Sequence, residues 1–103
     1  MAGEKRLQQF ITNTCKVYGT LCYKFASPGR KGVPDLICIP PGGRPVYFIE
    51  VKNPNGCGRL SLLQLKCHER IRIQGTDVYV IDSKEEAETV IRARSNIGPK
   101  ASH

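Results

Sequence analysis

Residues 33–52, running from Val33 to Lys52 (VPDLICIPPGGRPVYFIEVK), decide the fold. Two apolar runs, Asp35 to Ile39 and Val46 to Lys52, flank a turn region, Pro40-Pro41-Gly42-Gly43-Arg44-Pro45. Short apolar runs bounded by Gly and Pro read as buried strands joined in a hairpin. With the turn centred on Gly42-Gly43, facing positions sum to about 85, so Asp35 falls opposite Glu50. Opposed residues of an antiparallel pair point to one face, with Cβ atoms roughly 5 Å apart. Lys52 lies two residues beyond Glu50 and shares that face. Strand arithmetic alone therefore gathers Asp35, Glu50 and Lys52 at one end of two adjacent strands.

The rest of the chain supplies the frame. Residues 3–18 read as a helix, with Leu7, Phe10, Ile11, Cys15 and Tyr18 on one face and Gly19 as its stop. Thr20 to Ala26 is a short β-branched and aromatic run, a strand, and Ser27 to Gly32 is a loop. After the hairpin, Asn53 to Arg59 is a second loop. Ser61 with Gln64 three residues on has the pattern of a capping box, opening a helix that runs to Gln74 and stops at Gly75. Asp77 to Ile81 is a strand. Ser83 with Glu86 opens the last helix, whose apolar stripe is Ala87, Val90 and Ile91. The order α-β-β-β-α-β-α predicts an α/β fold: an antiparallel meander, a parallel fourth strand reached by a right-handed crossover, and helices on the faces of one mixed sheet. The expected organisation is one domain over residues 1–95 and a flexible tail over 96–103.

Two carboxylates held this close repel unless a cation lies between them. Oxygen ligands suit Mg²⁺ or Mn²⁺, which retain waters and accept a phosphate oxygen. A lysine beside them can orient or help deprotonate a water, or stabilise charge on phosphorus. The reaction class this favours is phosphodiester hydrolysis. Each feature alone has a plainer reading. Glu-x-Lys at a strand end is commonly a solvated ion pair, Pro34-Asp35 a turn, and basic residues a solvated surface. Their agreement carries the inference.

Charge points the same way. Sixteen Lys and Arg against nine Asp and Glu give +7 over 103 residues. The distribution is uneven: residues 1–34 hold six cations and one acid, and residues 53–75 hold four and one. Residues 35–52 are balanced, and residues 76–103 hold four cations and five acids. Two basic flanks around a neutral centre suit a polyanionic partner. The five cysteines, at 15, 22, 38, 57 and 67, are odd in number, irregularly spaced and without a C-x-x-C. They read as reduced thiols, several of them buried, rather than a disulfide framework or a zinc module. A zinc site from Cys57, Cys67 and His68 is a weaker alternative. No window approaches a membrane span and the start lacks the apolar run of a secretory signal. The expectation is a soluble intracellular protein.

Gly32-Val33-Pro34-Asp35 followed by Glu50-Val51-Lys52 resembles the PD-(D/E)XK nuclease signature. Adding Tyr23-Lys24-Phe25, the loop Ser27 to Gly32, Phe48-Ile49 and Arg59-Leu60-Ser61-x-x-Gln64 makes the pattern similar to the VRR-NUC (virus-type replication-repair nuclease) family over about residues 4–82. The resemblance implies a PD-(D/E)XK-like α-β-β-β-α-β core and a stand-alone, phage-like member acting in the host cytoplasm. It implies that Asp35, Glu50 and the carbonyl of Val51 bind the metal and that Lys52 is the catalytic lysine. It also implies that Gln64 orients a water or the substrate, in addition to capping its helix. Glu4 matches an acidic position reaching toward the metal, and is equally well read as a first-turn acid favoured by the helix dipole. Lys24 fits a position near the scissile phosphate, and Arg30, Lys31 and Arg59 are candidate DNA-backbone contacts. His68 reads as a solvated helix position.

The expected activity is a Mg²⁺- or Mn²⁺-dependent DNA endonuclease, with the four-way (Holliday) junction as leading substrate and a role in DNA repair. A junction has two-fold symmetry and needs two cuts, so resolution predicts a homodimer, with its surface on the last helix or the first strand. The alternatives are a flap or non-specific nuclease, or a non-catalytic nucleic-acid-binding module. A sequence-specific restriction-type enzyme needs more chain than is spare here.

Overall fold

In the computed structural model, residues 2–55 and 59–95 are described. Cys57 and the tail expected from residue 96 lie outside the described residues. The elements follow the expected order: α1 (Ala2–Val17), β1 (Leu21–Lys24), β2 (Leu36–Ile39), β3 (Tyr47–Val51), α2 (Leu62–Ile73), β4 (Asp77–Ile81) and α3 (Lys84–Ser95). The sheet order is β1-β2-β3-β4. The first two pairings are antiparallel and β3 runs parallel to β4. No described helix is long and apolar enough to cross a membrane.

The hairpin register is the one the turn dictates. Leu36 pairs Ile49, Ile37 pairs Phe48 and Cys38 pairs Tyr47. Gly42 (φ 70°) and Gly43 (φ 74°) both take the left-handed conformation that tight hairpin turns require. A slip of one residue would turn every side chain of β2 and β3 to the opposite face.

That alternation divides β3 between two environments. Tyr47, Ile49 and Val51 face α1 and α3 and are buried with Leu7, Ile11, Cys15, Leu36, Cys38, Ile81, Ala87 and Ile91. The stripe expected on α1 is therefore the core stripe, with Phe10 and Tyr18 packed at its margin. Phe48 and Glu50 face the other way, toward α2. Phe48 meets Phe25 with ring centroids 5.1 Å apart, and Glu50 meets His68. The sheet face under α2 therefore carries the polar constellation, while the opposite face carries the principal core.

One backbone approach locks α2 to the loop before β2. Gly32 has φ 90°. A Cβ built on it would stand 2.5 Å from the Leu63 carbonyl oxygen and 2.8 Å from its carbon. Only glycine lets the Ser27–Val33 loop lie this close to the first turn of α2.

Candidate active site

Asp35 stands immediately before β2, Glu50 is the penultimate residue of β3, and Lys52 follows its end. The Asp35 main-chain carbonyl accepts from the Phe25 amide at 2.8 Å, tying it to the chain leaving β1. Its side-chain Oδ2 accepts from the Val51 amide at 2.7 Å. That bond holds the carboxylate against the backbone of Val51, beside Glu50.

Gln64 joins the helix to this site. Its amide and side chain form the expected capping box: Ser61 Oγ accepts from the Gln64 amide at 3.1 Å, and the Ser61 amide donates to Gln64 Oε1 at 2.9 Å. The same Oε1 accepts from Lys52 Nζ at 3.3 Å. Nε2 donates to Glu50 Oε2 at 2.9 Å. The cap fixes the side chain, and the fixed side chain then spans the carboxylate and the lysine. Lys52 Nζ also lies 3.6 Å from Glu50 Oε2.

Glu50 is 2% exposed. Burial first, then the neighbouring Asp35 carboxylate, push its carboxyl up from 4.5 to about 7, against the opposing pull of the Lys52 ammonium. Its Oε1 is buried with no hydrogen-bond partner. A buried carboxylate with one unsatisfied oxygen and a second carboxylate beside it is a donor set that fits a cation. The oxygen donors present suit a hard divalent ion such as Mg²⁺ or Mn²⁺.

His68 departs from the sequence expectation of a solvated position. It is completely buried, and its Nε2 lies 3.5 Å from Glu50 Oε1. Burial, then the nearby Arg72 cation, pushes its pKa down, against the opposing pull of the Asp35 carboxylate. The helical spacing from Gln64, four residues, already puts the two on one face of α2. The signal was available once Gln64 was assigned to the site.

The remaining expected residues occupy the periphery. Lys24 ends β1 opposite Leu36 and is exposed, as is Arg59. Glu4 sits in the first turn of α1. The preceding Gly3 packs against Asn53 and Pro54, just past Lys52. No described hydrogen bond or ion pair joins Glu4 to Asp35 or Glu50. Arg30 and Lys31 line a groove of about 380 Å³ whose other wall, on α2, brings Lys66 and Arg70. Those two cations, one helical turn apart, complete a basic channel that the linear charge count registers only as a net excess.

Comparison with known proteins agrees with this geometry. Residues 5–85 match the VRR-NUC domain. The chain is 34% identical over 82 residues to a protein named as a candidate nuclease, p44 of Acyrthosiphon pisum secondary endosymbiont phage 1. That alignment covers 80% of this chain and 85% of p44. A solved VRR-NUC domain superposes with a TM-score of 0.79 at 33% identity, covering 87% of this chain and 95% of that one. With the Asp35, Glu50–Lys52 and Gln64 signature gathered at one end of the sheet, the chain belongs to the VRR-NUC family and is a nuclease.

Proposed function

We propose that this nuclease is a Mg²⁺- or Mn²⁺-dependent DNA endonuclease that resolves four-way junctions. The observation that carries the metal dependence is the Asp35–Glu50 pair: a buried carboxylate, one oxygen of which has no partner, set beside a second carboxylate. Asp35, Glu50 and the Val51 carbonyl would hold the ion, with Glu4 approaching through water. When bound, it supplies a Lewis acid to the phosphoryl oxygen and lowers the pKa of a water.

The chain's own groups do the rest. Lys52 is held by Gln64 Oε1 next to Glu50, where its ammonium can orient a water and stabilise negative charge on the phosphate. Gln64 keeps both partners in place. Arg30, Lys31, Lys66 and Arg70 offer cations to the DNA backbone in the groove beside α2, and Arg59 and Lys24, the latter on the opposite face with its register partner Leu36, add to them. Those contacts position a strand without reading its bases.

Junction resolution needs two active sites, hence a symmetric homodimer. The edge strand β1 supports this, because Leu21 (53%) and Tyr23 (55%) are exposed there beside Val17 (78%). α3, the other surface expected from sequence, has no large apolar residue among the exposed ones.

The test is cleavage of labelled four-way junction, flap and linear duplex with Mg²⁺, Mn²⁺ or EDTA, beside Glu50→Ala. Paired symmetric cuts in the junction, lost with EDTA and in the variant, are the expected result. Cutting of flaps or linear DNA alone would remove the resolvase reading. Full cleavage in EDTA would remove the metal.

A further inference from the structure

Away from the nuclease site, on the opposite face of the sheet, three thiols converge. Cys15 comes from α1, Cys22 from β1 and Cys38 from β2, and their sulfurs all lie within 4.8 Å of one another. Cys15 and Cys38 are fully buried, and Cys22 is partly open to solvent. The convergence is built by the sheet. Cys22 and Cys38 are register partners. The bond from the Phe25 amide to the Asp35 carbonyl marks the 25–35 pair as hydrogen-bonded. Two-residue alternation then makes 22–38 a non-hydrogen-bonded pair, where side chains come closest. Cys15 descends onto that pair from the core stripe of α1.

A second observation points to the same place. The Tyr47 hydroxyl is completely buried and has no hydrogen-bond partner. Tyr47 is the register partner of Cys38 and shares its face of the sheet. A neutral thiol is a weak acceptor, whereas a metal-bound thiolate is the kind of acceptor this hydroxyl lacks.

We propose that Cys15, Cys22 and Cys38 form a binding site for one soft, thiophilic metal ion, Zn²⁺ or Cu(I), which ties α1 to the β1–β2 pair. Three thiolates with metal–sulfur bonds of about 2.3 Å stand about 4 Å apart, so the sulfurs need to close by less than about 1 Å. Soft sulfur ligands select these ions over Mg²⁺ and Mn²⁺. The site is therefore chemically separate from the carboxylates under α2. Cys22, the least buried of the three, gives the ion its access. Zn²⁺ would take a water as fourth ligand on that side, and Cu(I) is satisfied by three sulfurs.

The 103-residue chain, reduced and stripped of metal, is titrated with Cd²⁺, whose thiolate complexes absorb in the ultraviolet and whose carboxylate complexes do not. The expected result is an absorbance that saturates at one equivalent. It disappears in Cys22→Ser and persists in the Cys57→Ser/Cys67→Ser double variant. Cu(I) should displace the Cd²⁺ stoichiometrically, whereas Zn²⁺, which thiolates hold less tightly than Cd²⁺, should do so only in excess. A second readout needs no variant: bound metal should slow iodoacetamide alkylation of Cys22 at least tenfold and leave Cys67 unchanged. The proposal is overturned by no one-equivalent endpoint, by an endpoint that survives Cys22→Ser, by displacement with neither ion, or by an unprotected Cys22. Loss of two hydrogens from the intact mass, marking a Cys22–Cys38 disulfide in place of metal binding, overturns it as well.

Discussion

Glu50→Gln should stabilise the metal-free protein, because the candidate active site is assembled at the expense of the fold. The Glu50 carboxyl is raised from 4.5 to about 7 by burial and by Asp35. A carboxyl whose folded pKa lies above its unfolded value binds its proton more tightly when folded. Its contribution is therefore favourable below about pH 4.5 and lost as pH rises to about 7. At about 1.4 kcal/mol per unit, the full loss is roughly 3 kcal/mol above neutrality. Glutamine is nearly isosteric, its Oε1 can still accept from Gln64 Nε2, and it carries no charge to desolvate. In EDTA, unfolding curves of the native protein and Glu50→Gln should lie close together at pH 4.5 and diverge by pH 8. For a domain of this size the gap is on the order of 10 °C in Tm. Mg²⁺ or Mn²⁺ should then raise the native protein's Tm at pH 8 and leave that of Glu50→Gln unchanged. Parallel curves from pH 4.5 to 8 would show that Glu50 is not ionised against its environment. Metal binding at Glu50 would then have no electrostatic basis in its burial.

His68→Ala removes the imidazole beside Glu50 Oε1 and should weaken Mn²⁺ affinity by 10- to 100-fold, the range for partners that orient a metal ligand, measured by calorimetry with circular dichroism to check folding. Lys66→Ala/Arg70→Ala should reduce the slope of log binding constant against log salt by about 2, and a fluorescence-anisotropy salt series showing an unchanged slope would take both out of the DNA path. Gly32→Ala places a methyl against the Leu63 carbonyl at a positive φ and should cost about 1–3 kcal/mol in urea unfolding. It should also weaken DNA binding, since the loop it displaces carries Arg30 and Lys31.

What could be read from the sequence was whatever the backbone periodicity fixes. Facing positions summing to about 85 is a property of a turn centred on two glycines, and the observed Leu36–Ile49 pairing obeys it. Asp35, Glu50 and Lys52 were therefore placed by arithmetic, and Gln64 by its capping box together with the family resemblance. The groups missed, or read differently, depend on where α2 lies across the sheet, which periodicity leaves open. α2 is only weakly amphipathic: Leu62, Leu63, Leu65 and Ile73 are all exposed, and the one buried residue of the helix is His68. A hydrophobic stripe, the usual guide to a helix's inward face, would have pointed away from the site. What turns α2 inward is polar. Gln64 bonds both Glu50 and Lys52, His68 contacts Glu50, and Arg72 donates to the Val78 carbonyl at 2.7 Å. The docking of this helix and the assembly of the candidate active site are thus the same event. The leucines that it leaves in solvent are the cost of presenting Gln64, His68, Lys66 and Arg70 to the sheet end and the groove beside it.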